Sequence, residues 1–569
     1  MDQSQEKPLR FLFADMLVEA GIDHVFGMPG GCTPFLYDGL VEKKDRIRTV
    51  LVRHEGGAAV MADLHARLTG RPAVLMGQGA WIGTSGGIGI IESLHTGLPM
   101  LILCDTSDYF SLPQHGPYQS GSGEYGSFDL PGMMRAMTKY TTVASNASEF
   151  LHGLQLAIKH ATTGRPGPAA VLVKWNVPFA SVDPRAVKPP VHPLSGLLNV
   201  SPPCISPADA ERAVGMLLAA RNPVLIAGQG VRCSQAFEEV DELADLIGIP
   251  VATSFLGKSS IRETHPCAVG TMGAIGQKAA NRRIGEADLI LAVGSSLAPD
   301  NTKWLSPDFI DPGRQKIIQI DIEPRNVGWT FPVAMGITSD AKLALQAIIR
   351  GIRERGVDFD VEERIEALAR AKAEADCFDE EITRSGKTPI APERVVKEVN
   401  AVLDEDDLLV LDGGNNRMWF THHFQSKKAG QVLAGGGVAA IGYGPPAALA
   451  AQIIRRGARV ICACGDGGMM MHLYALEMAR DLKLPVTFVV LNNSCLGNVR
   501  DFLAPDRRLA TEYSQPDFAR IAKGFSLESV RIEKPEELGS ALKKAVDSRE
   551  AWLIDVIVDD LPHFKLISQ

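Results

Sequence analysis

Short runs of buried-type residues recur along this chain, with room for one helix between consecutive runs. That alternation limits the fold more than any other feature. HVFGMPGG (24–31), RTVLVRH (48–54), RPAVLMGQGA (71–80), LPMLILCDTS (98–107) and AAVLVKWNVPF (169–179) make a first series. NPVLIAGQGV (222–231), IGIPVATSF (247–255), ADLILAVGSSL (287–297) and KIIQIDIEP (316–324) make a second. DLLVLDGGNN (407–416), QVLAGGGVAAIGYG (431–444), ARVICACGDGG (458–468), LPVTFVVLNNS (484–494) and AWLIDVIVDD (551–560) make a third. Apolar strands alternating with amphipathic helices predict parallel sheets covered by helices. The expected fold is α/β, with three consecutive doubly wound parallel-sheet domains; three units of one class suggest duplication, although no repeat is readable residue by residue.

At 569 residues the chain is too long for a single core. The expected boundaries are a first domain at residues 1–185, a linker at 186–205, a central Rossmann-like domain at 206–350, a connecting helix at 351–390 and a last domain at 391–569. The linker is expected because prolines crowd VDPRAVKPPVHPLSGLLNVSPPCISP (182–207). The charged run 361–386 has helical spacing and few bulky apolar residues, which predicts a solvated connecting helix.

A net charge of -9 argues against nucleic acid as a partner. Nine scattered cysteines in a long chain do not make a disulfide framework and point to a reducing, cytoplasmic setting. Cys462 and Cys464 are one residue apart on a strand-like run, closer than metal pairs usually stand. The N-terminus has no signal-peptide pattern. The most apolar long stretch, 438–454, carries glycines and two prolines and is too short to span a bilayer, so no membrane partner is expected.

The sharpest chemical signal lies in the third series. Gly465-Asp466-Gly467 ends one strand, 24 residues (468–491) intervene, and Asn492-Asn493 ends the next. That spacing fits strand, crossover helix, strand, which brings both loops to the carboxyl edge where open α/β sheets bind ligands. A carboxylate from Asp466 and an amide oxygen from Asn493 are hard ligands suited to magnesium, which usually takes further oxygens from phosphate and water. Gly467 and Gly468 allow backbone N–H groups to approach an anion.

With these motifs the chain resembles the thiamine-diphosphate enzyme superfamily, above all acetohydroxyacid (acetolactate) synthase large subunits and their relatives. VFGMPGG, RHEGGA, TKYTTVA, TGRPGPAAVLV, PVLIAGQGV, LDGGNNRMW, GGVAAIGYGPPAA, GDGG and LNNSCLG carry the resemblance in order along nearly the whole chain. It implies pyrimidine-binding, central and diphosphate-binding domains. Thiamine diphosphate and Mg2+ would be the cofactors. Asp466, the Asn493 side chain and the Cys495 carbonyl would hold the metal. Gly414, Asn415, Asn416, Gly467, Gly468, Leu496, Gly497, Asn498 and Val499 would line the cofactor site, with Ala439. Ile441 would sit under the bent cofactor. Glu55 would be the catalytic carboxyl that hydrogen-bonds the aminopyrimidine and so activates C2 of the thiazolium. In the family the two facing domains come from different subunits, which implies a homodimer or homotetramer with interfacial active sites.

The resemblance thins where substrate is chosen. The family's phenylalanine-glutamine-glutamate segment is Tyr125-Gly126-Ser127-Phe128 here, and its Leu-Pro-Lys-Asp stretch is Lys174-Trp175-Asn176-Val177. Its Thr-Ser-Gly-Pro-Gly loop is Gly77-Gln78-Gly79-Ala80-Trp81, and a tryptophan after the double Asn is Phe502. Gln78, Trp81, His115, Glu124 and Phe502 are therefore the candidate substrate-pocket residues, although a lone His or Trp in a loop is more often structural. Simple decarboxylases of the superfamily carry a proton-donating glutamate where this chain has Val499, and their paired histidines belong to the first domain, whereas His422-His423 lies in the third. An apolar Val499 offers no proton to the acyl carbanion, which favours its transfer to a second carbonyl. The expected activity is thus decarboxylation of a 2-keto acid (or cleavage of an acyloin) followed by carboligation. A non-ligating decarboxylase of a bulkier, aromatic keto acid and a catalytically silent cofactor-binding relative are the alternatives. Some relatives also carry FAD, but the Gly-Ala-Arg-Phe stretch expected for it is Gly294-Ser295-Ser296-Leu297, which lacks the arginine; FAD is the weakest of the cofactor expectations.

Overall fold

The computed structural model describes residues 6–109 and 119–559. The chain divides into two compact units, Met1–Ser201 and Pro202–Gln569. The first holds one six-stranded sheet and the second holds two.

In the first unit a short antiparallel pair, β1 (Lys7–Pro8) with β8 (Ser181–Val182), stands beside the main sheet. That sheet contains β2 (His24–Met28), β3 (Arg48–Leu51), β4 (Ala73–Gly77), β5 (Met100–Asp105), β6 (Tyr140–Ala144) and β7 (Pro168–Val173). All its pairings are parallel, in the order β3-β2-β4-β5-β7-β6. β4, β5 and β7 are buried along their whole length, as expected of strands covered on both faces.

Helix Glu55–Thr69 follows β3 and is buried from Glu55 to Arg67. Its small residues allow helix Gly87–Thr96 to pack so closely that a Cβ on Gly89 would lie 2.6 Å from Ala59. Arg67 is buried with it and paired to Asp63 and Glu92, each at 3.1 Å, so no charge is left alone.

In the second unit the middle sheet contains β9 (Pro223–Ala227), β10 (Val251–Thr253), β11 (Ala268–Thr271), β12 (Leu289–Val293), β13 (Lys316–Asp321) and β14 (Met335–Thr338), in the order β11-β10-β9-β12-β13-β14. The last sheet contains β15 (Leu408–Leu411), β16 (Val432–Ala434), β17 (Val460–Gly465), β18 (Val486–Asn492), β19 (Glu528–Ile532) and β20 (Trp552–Ile557), in the order β16-β15-β17-β18-β20-β19. Both sheets are parallel throughout. Three parallel sheets with flanking helices give three α/β domains, as the alternation of apolar runs implied.

Two segments differ from expectation. The proline-rich stretch is packed onto the first unit: Val187 and Leu194 join its core, and the Leu194 amide donates to Glu19 at 2.7 Å. The charged run forms an α-helix over Val361–Glu374 and a separate 3-10 turn at Glu381–Arg384, and the α-helix is not fully solvated, because Leu368 packs into the middle core. A few apolar residues on one face suffice to dock an otherwise charged helix. No helix among the described residues is long and apolar enough to cross a membrane. No disulfide joins any of the nine cysteines among the described residues.

Candidate active site

Because β15, β16, β17 and β18 run parallel and adjacent, the loops that follow them share one sheet edge. β15 runs into Asp412-Gly413-Gly414 and then helix Asn415–His423. A Cβ on Gly413 would sit 2.5 Å from the Ala439 carbonyl oxygen, so only glycine lets the loop after β16 lie against this turn. Gly414 has φ of +92°, a conformation that glycine adopts freely, and its neighbour in space is the Ile441 side chain.

β17 delivers Asp466, which is 3% exposed and opens helix Asp466–Met471. Its carboxylate reaches the loop after β18: Oδ2 accepts from the amides of Asn493 (3.2 Å) and Ser494 (2.6 Å). Oδ1 accepts from the Gly467 amide and the Tyr513 hydroxyl, both at 2.7 Å. The acid and the amide residue expected to work together are thus neighbours. Burial raises the Asp466 carboxyl above its usual range, and these four donors oppose that shift.

The loop after β18 turns through Ser494, at φ +61°, before Cys495, Leu496 and the short helix Gly497–Arg500. A Cβ on Gly497 would crowd the side-chain nitrogens of Asn415 (2.8 Å) and Asn493 (3.3 Å), so three of the expected residues converge there. Leu496 is held by its amide to Thr511 O (2.8 Å), and its side chain borders Gly467. Asn498 and Val499 follow on the short helix, Val499 with its side chain largely exposed. Asn492, the first of the pair, is structural: its amide donates to Pro516 O and to Asp555, at 3.0 and 2.9 Å.

Several polar atoms at this edge are buried without a partner: Asn415 Oδ1, Asn416 Oδ1 and Asp412 Oδ2. Native proteins rarely leave such atoms orphaned, and where they do the gap calls for a ligand or an ion. Asn415 and Asn416 open a helix, Asn416 fastened by its amide to Gly413 O (2.7 Å) and Asn415 to Asp501 (3.3 Å). Glycine turns that expose backbone N–H groups suit a bound diphosphate, and the orphaned oxygens and the buried acid, all acceptors, suit the cation that would accompany it.

Three contributors escaped the sequence reading. Asp412 accepts from the Gly444 amide at 2.8 Å, and its fully buried carboxyl is pushed up to about 6 by desolvation, against amide hydrogen bonds from Gly444, Gly442 and Gly413. Its signal was available, since an acid precedes the two glycines at a strand end. Tyr513 and Asp501 had none, because their roles are visible only after a loop folds back.

In the first unit Glu55 is the first residue of its helix, 5% exposed, with His54 capping the Gly56 amide. Its charge reinforces burial in pushing the nearby Tyr37 phenol up. Gln78 borders Gly30 and hydrogen-bonds Gln119; Trp81, 46% exposed, is on the short helix Gly79–Thr84 that follows. Glu124 is exposed on a turn whose carbonyl accepts from Ser127. His115 lies outside the described residues. Phe502, in the second unit, is 74% exposed just beyond Gly497–Arg500.

The fold, with its candidate site at a parallel-sheet edge, is that of the α/β enzymes that bind a cofactor there. Comparison with known proteins agrees. Residues 9–122, 210–348 and 412–556 match, respectively, the N-terminal thiamine pyrophosphate (TPP) binding domain, the central domain and the C-terminal TPP binding domain of thiamine pyrophosphate enzymes. A probable acetolactate synthase large subunit of Methanocaldococcus jannaschii is 31% identical over 557 residues, spanning 95% of this chain and 90% of the relative. One from Methanococcus aeolicus is 29% identical over 559 residues, with the same coverage. The acetolactate synthase large subunit of Haemophilus influenzae is 29% identical over 572 residues, covering 97% and 95%. The chain belongs to the thiamine-diphosphate enzyme family that contains the acetolactate synthase large subunits. It is a thiamine-diphosphate-dependent enzyme of the transferase/lyase type.

Proposed function

We propose that the protein decarboxylates a 2-keto acid and transfers the acyl group to a second carbonyl, with magnesium anchoring the thiamine diphosphate. The observation that carries this reading is the meeting of four strand-end loops around Asp466, Asn493, Asn415 and Asn416, with orphaned amide oxygens facing no protein donor. Asp466, the Asn493 side chain and the Cys495 carbonyl would hold Mg2+, an all-oxygen set of the kind it prefers. Gly414, Asn415, Asn416, Gly467, Gly468, Leu496, Gly497 and Asn498 would surround the diphosphate, while Ala439, Ile441 and Val499 face the rest of the cofactor. When bound, thiamine diphosphate supplies a nucleophilic carbon that adds to a keto group and takes up the electrons of the broken C–C bond.

Glu55 would exchange a proton with the aminopyrimidine, a task suited to a buried carboxyl. Val499 has no proton to give, which leaves the acyl group to the second carbonyl. Gln78, Trp81, His115, Glu124 and Phe502 would shape the pocket for both substrates. Domain limits at 206–350 and 391–569 are supported by where the strands of their sheets begin and end, whereas a first domain of 1–185 leaves out Val187 and Leu194, which pack into its core. At least a homodimer is proposed, which light scattering would check.

The test is to incubate the magnesium- and thiamine-diphosphate-loaded protein with a panel of keto acids, with and without added acceptor carbonyls. Consumption of keto acid with CO2 and ligated product supports the proposal. Free aldehyde as the sole organic product, whatever acceptor is present, would replace it with simple decarboxylation.

A further inference from the structure

Glu380, His422 and His423 meet in the second unit, and the ligand atoms they offer lie within 4.8 Å of one another. The two histidines end helix Asn415–His423, roughly 10–12 Å along its axis from Asn415 at 1.5 Å per residue. Glu380 Oε1 is 2.8 Å from His422 Nε2, and Oε2 is 2.5 Å from His423 Nδ1. One carboxylate therefore spans two imidazoles.

The cluster needs either an imidazolium proton on His422 or a metal ion to face Glu380, and only a metal ion would also engage the buried His423 ring. His422 Nδ1 lies 2.8 Å from the Ile275 carbonyl oxygen, which can only accept, so Nδ1 carries the proton. In a neutral ring Nε2 then presents a lone pair to the Glu380 carboxylate, a repulsive contact unless a proton or a metal ion lies between. This is also how a metal-ligating histidine is usually fixed, by its other nitrogen on a carbonyl. His423 Nδ1 and Glu380 Oε2 meet as a close ion-pair contact, and the other ring nitrogen, Nε2, is buried without a hydrogen-bond partner. The His423 side chain is only 2% exposed. Two imidazolium rings with centroids 4.5 Å apart would place like charges side by side in a buried site, which is costly. Glu393 adds negative charge near His423, and its Oε2 is also buried without a partner.

The cluster Asp23, His24 and His65 likewise joins one carboxylate and two imidazoles, but with a different balance. There Arg71 donates to Asp23 Oδ2 at 2.6 Å, so the carboxylate already has its counter-charge. No lysine or arginine pairs with Glu380 among the described residues.

We infer that Glu380, His422 and His423 bind one divalent transition-metal ion of the zinc class. Two imidazoles and a carboxylate suit zinc better than magnesium, with water or Glu393 in the fourth position. The ion would tie three segments together: the Ile275 loop of the middle domain, the chain leading to helix Pro392–Val402, and the end of helix Asn415–His423.

The test uses untagged full-length protein saturated with magnesium and thiamine diphosphate, so that the diphosphate loops are occupied. Elemental analysis after zinc addition and gel filtration should find one zinc per chain. Cobalt substitution should give the intense visible bands of a tetrahedral nitrogen-and-oxygen site. Glu380→Gln and His423→Gln, folded by circular dichroism, should each weaken zinc at least about 100-fold, the loss that removing even a supporting partner of a metal ligand can reach. The inference is overturned if the wild type retains no more zinc than the variants. It is equally overturned if cobalt shows a thiolate charge-transfer band, which would assign the ion to cysteine.

Discussion

The first and last sheets share one strand order: written by position within each domain, both read 2-1-3-4-6-5, whereas the middle sheet reads 3-2-1-4-5-6. The outer domains are thus one scaffold used twice, a repeat carried by topology where residue identities conceal it. The loops correspond. Pro29-Gly30-Gly31 follows the first strand of one, and Asp412-Gly413-Gly414 that of the other; Gly77-Gln78-Gly79 and Gly465-Asp466-Gly467 end the third strands. Ser107 and Ser494, both at positive φ, come two residues after the ends of the fourth.

What differs is how each edge satisfies itself. In the first sheet Asp105, on the fourth strand, accepts from Gly79 N (3.0 Å), Cys32 N (3.3 Å) and the Ser107 hydroxyl (3.0 Å). One carboxylate staples the loops after strands one, three and four, and the edge is closed. In the last sheet the carboxylate has moved to the third strand as Asp466, and Asn415, Asn416 and Asp412 retain buried oxygens with no partner. On the proposed function, the closed edge presents Glu55, which follows the second strand, and the open one is completed by a ligand. Identical topology therefore fixes where a site can be, and a few strand-end side chains decide whether one exists.

The largest expected effect separates the two roles. Glu55→Gln should lower kcat by about 10²–10⁴, the range of general acid–base catalysis, while cofactor affinity by calorimetry changes little. An equal loss of affinity would mean that Glu55 is only structural. Next, Asp466→Ala should weaken magnesium-dependent thiamine-diphosphate binding by at least about 100-fold, whereas Gln78→Ala, the matching position of the closed edge, should change it less than about threefold. Similar losses in both would erase the distinction.

A smaller effect reads the orphaned acid. Because Asp412 titrates at about 6 when folded, above the unfolded value, its protonated form favours the fold, and stability falls as pH rises from about 4 to about 6. Asp412→Asn should remove that contribution, about 3 kcal/mol from the size of the shift, so the stability gap between variant and parent widens with pH across this window in denaturant titrations of the cofactor-free protein. A constant gap would show that Asp412 stays ionised. The smallest change is expected from Tyr513→Phe, which deletes one hydrogen bond to Asp466 and should weaken cofactor binding by roughly 3–10-fold. No change would mean that the hydroxyl does not orient the acid.

The interior of each sheet was legible in the sequence and its margins were not. β6, β11, β14 and β19, all at sheet edges, escaped the reading of apolar runs. β19, ESVRI, shows why: an edge strand is paired on one side and only partly covered, so its composition is free to be polar. The edge strands β3 and β16 were readable because RTVL and VLA carry apolar residues. At the site, Asp466 and Asn493 were readable because strand, crossover and strand fix their spacing. Tyr513 was not, since nothing local in a loop announces which distant carboxylate its hydroxyl meets. The connecting stretches were misread for a related reason: composition reports average polarity, and docking needs only Leu194 or Leu368 in the right place.

The most direct test of the open edge is calorimetric titration of thiamine diphosphate into the wild-type protein with magnesium and, separately, with chelator. Saturable binding of one cofactor per chain that appears only with magnesium is the predicted result. Binding of equal strength in chelator, or none in either condition, would contradict the assignment of Asp466 and Asn493 as the anchor of a metal-bound diphosphate.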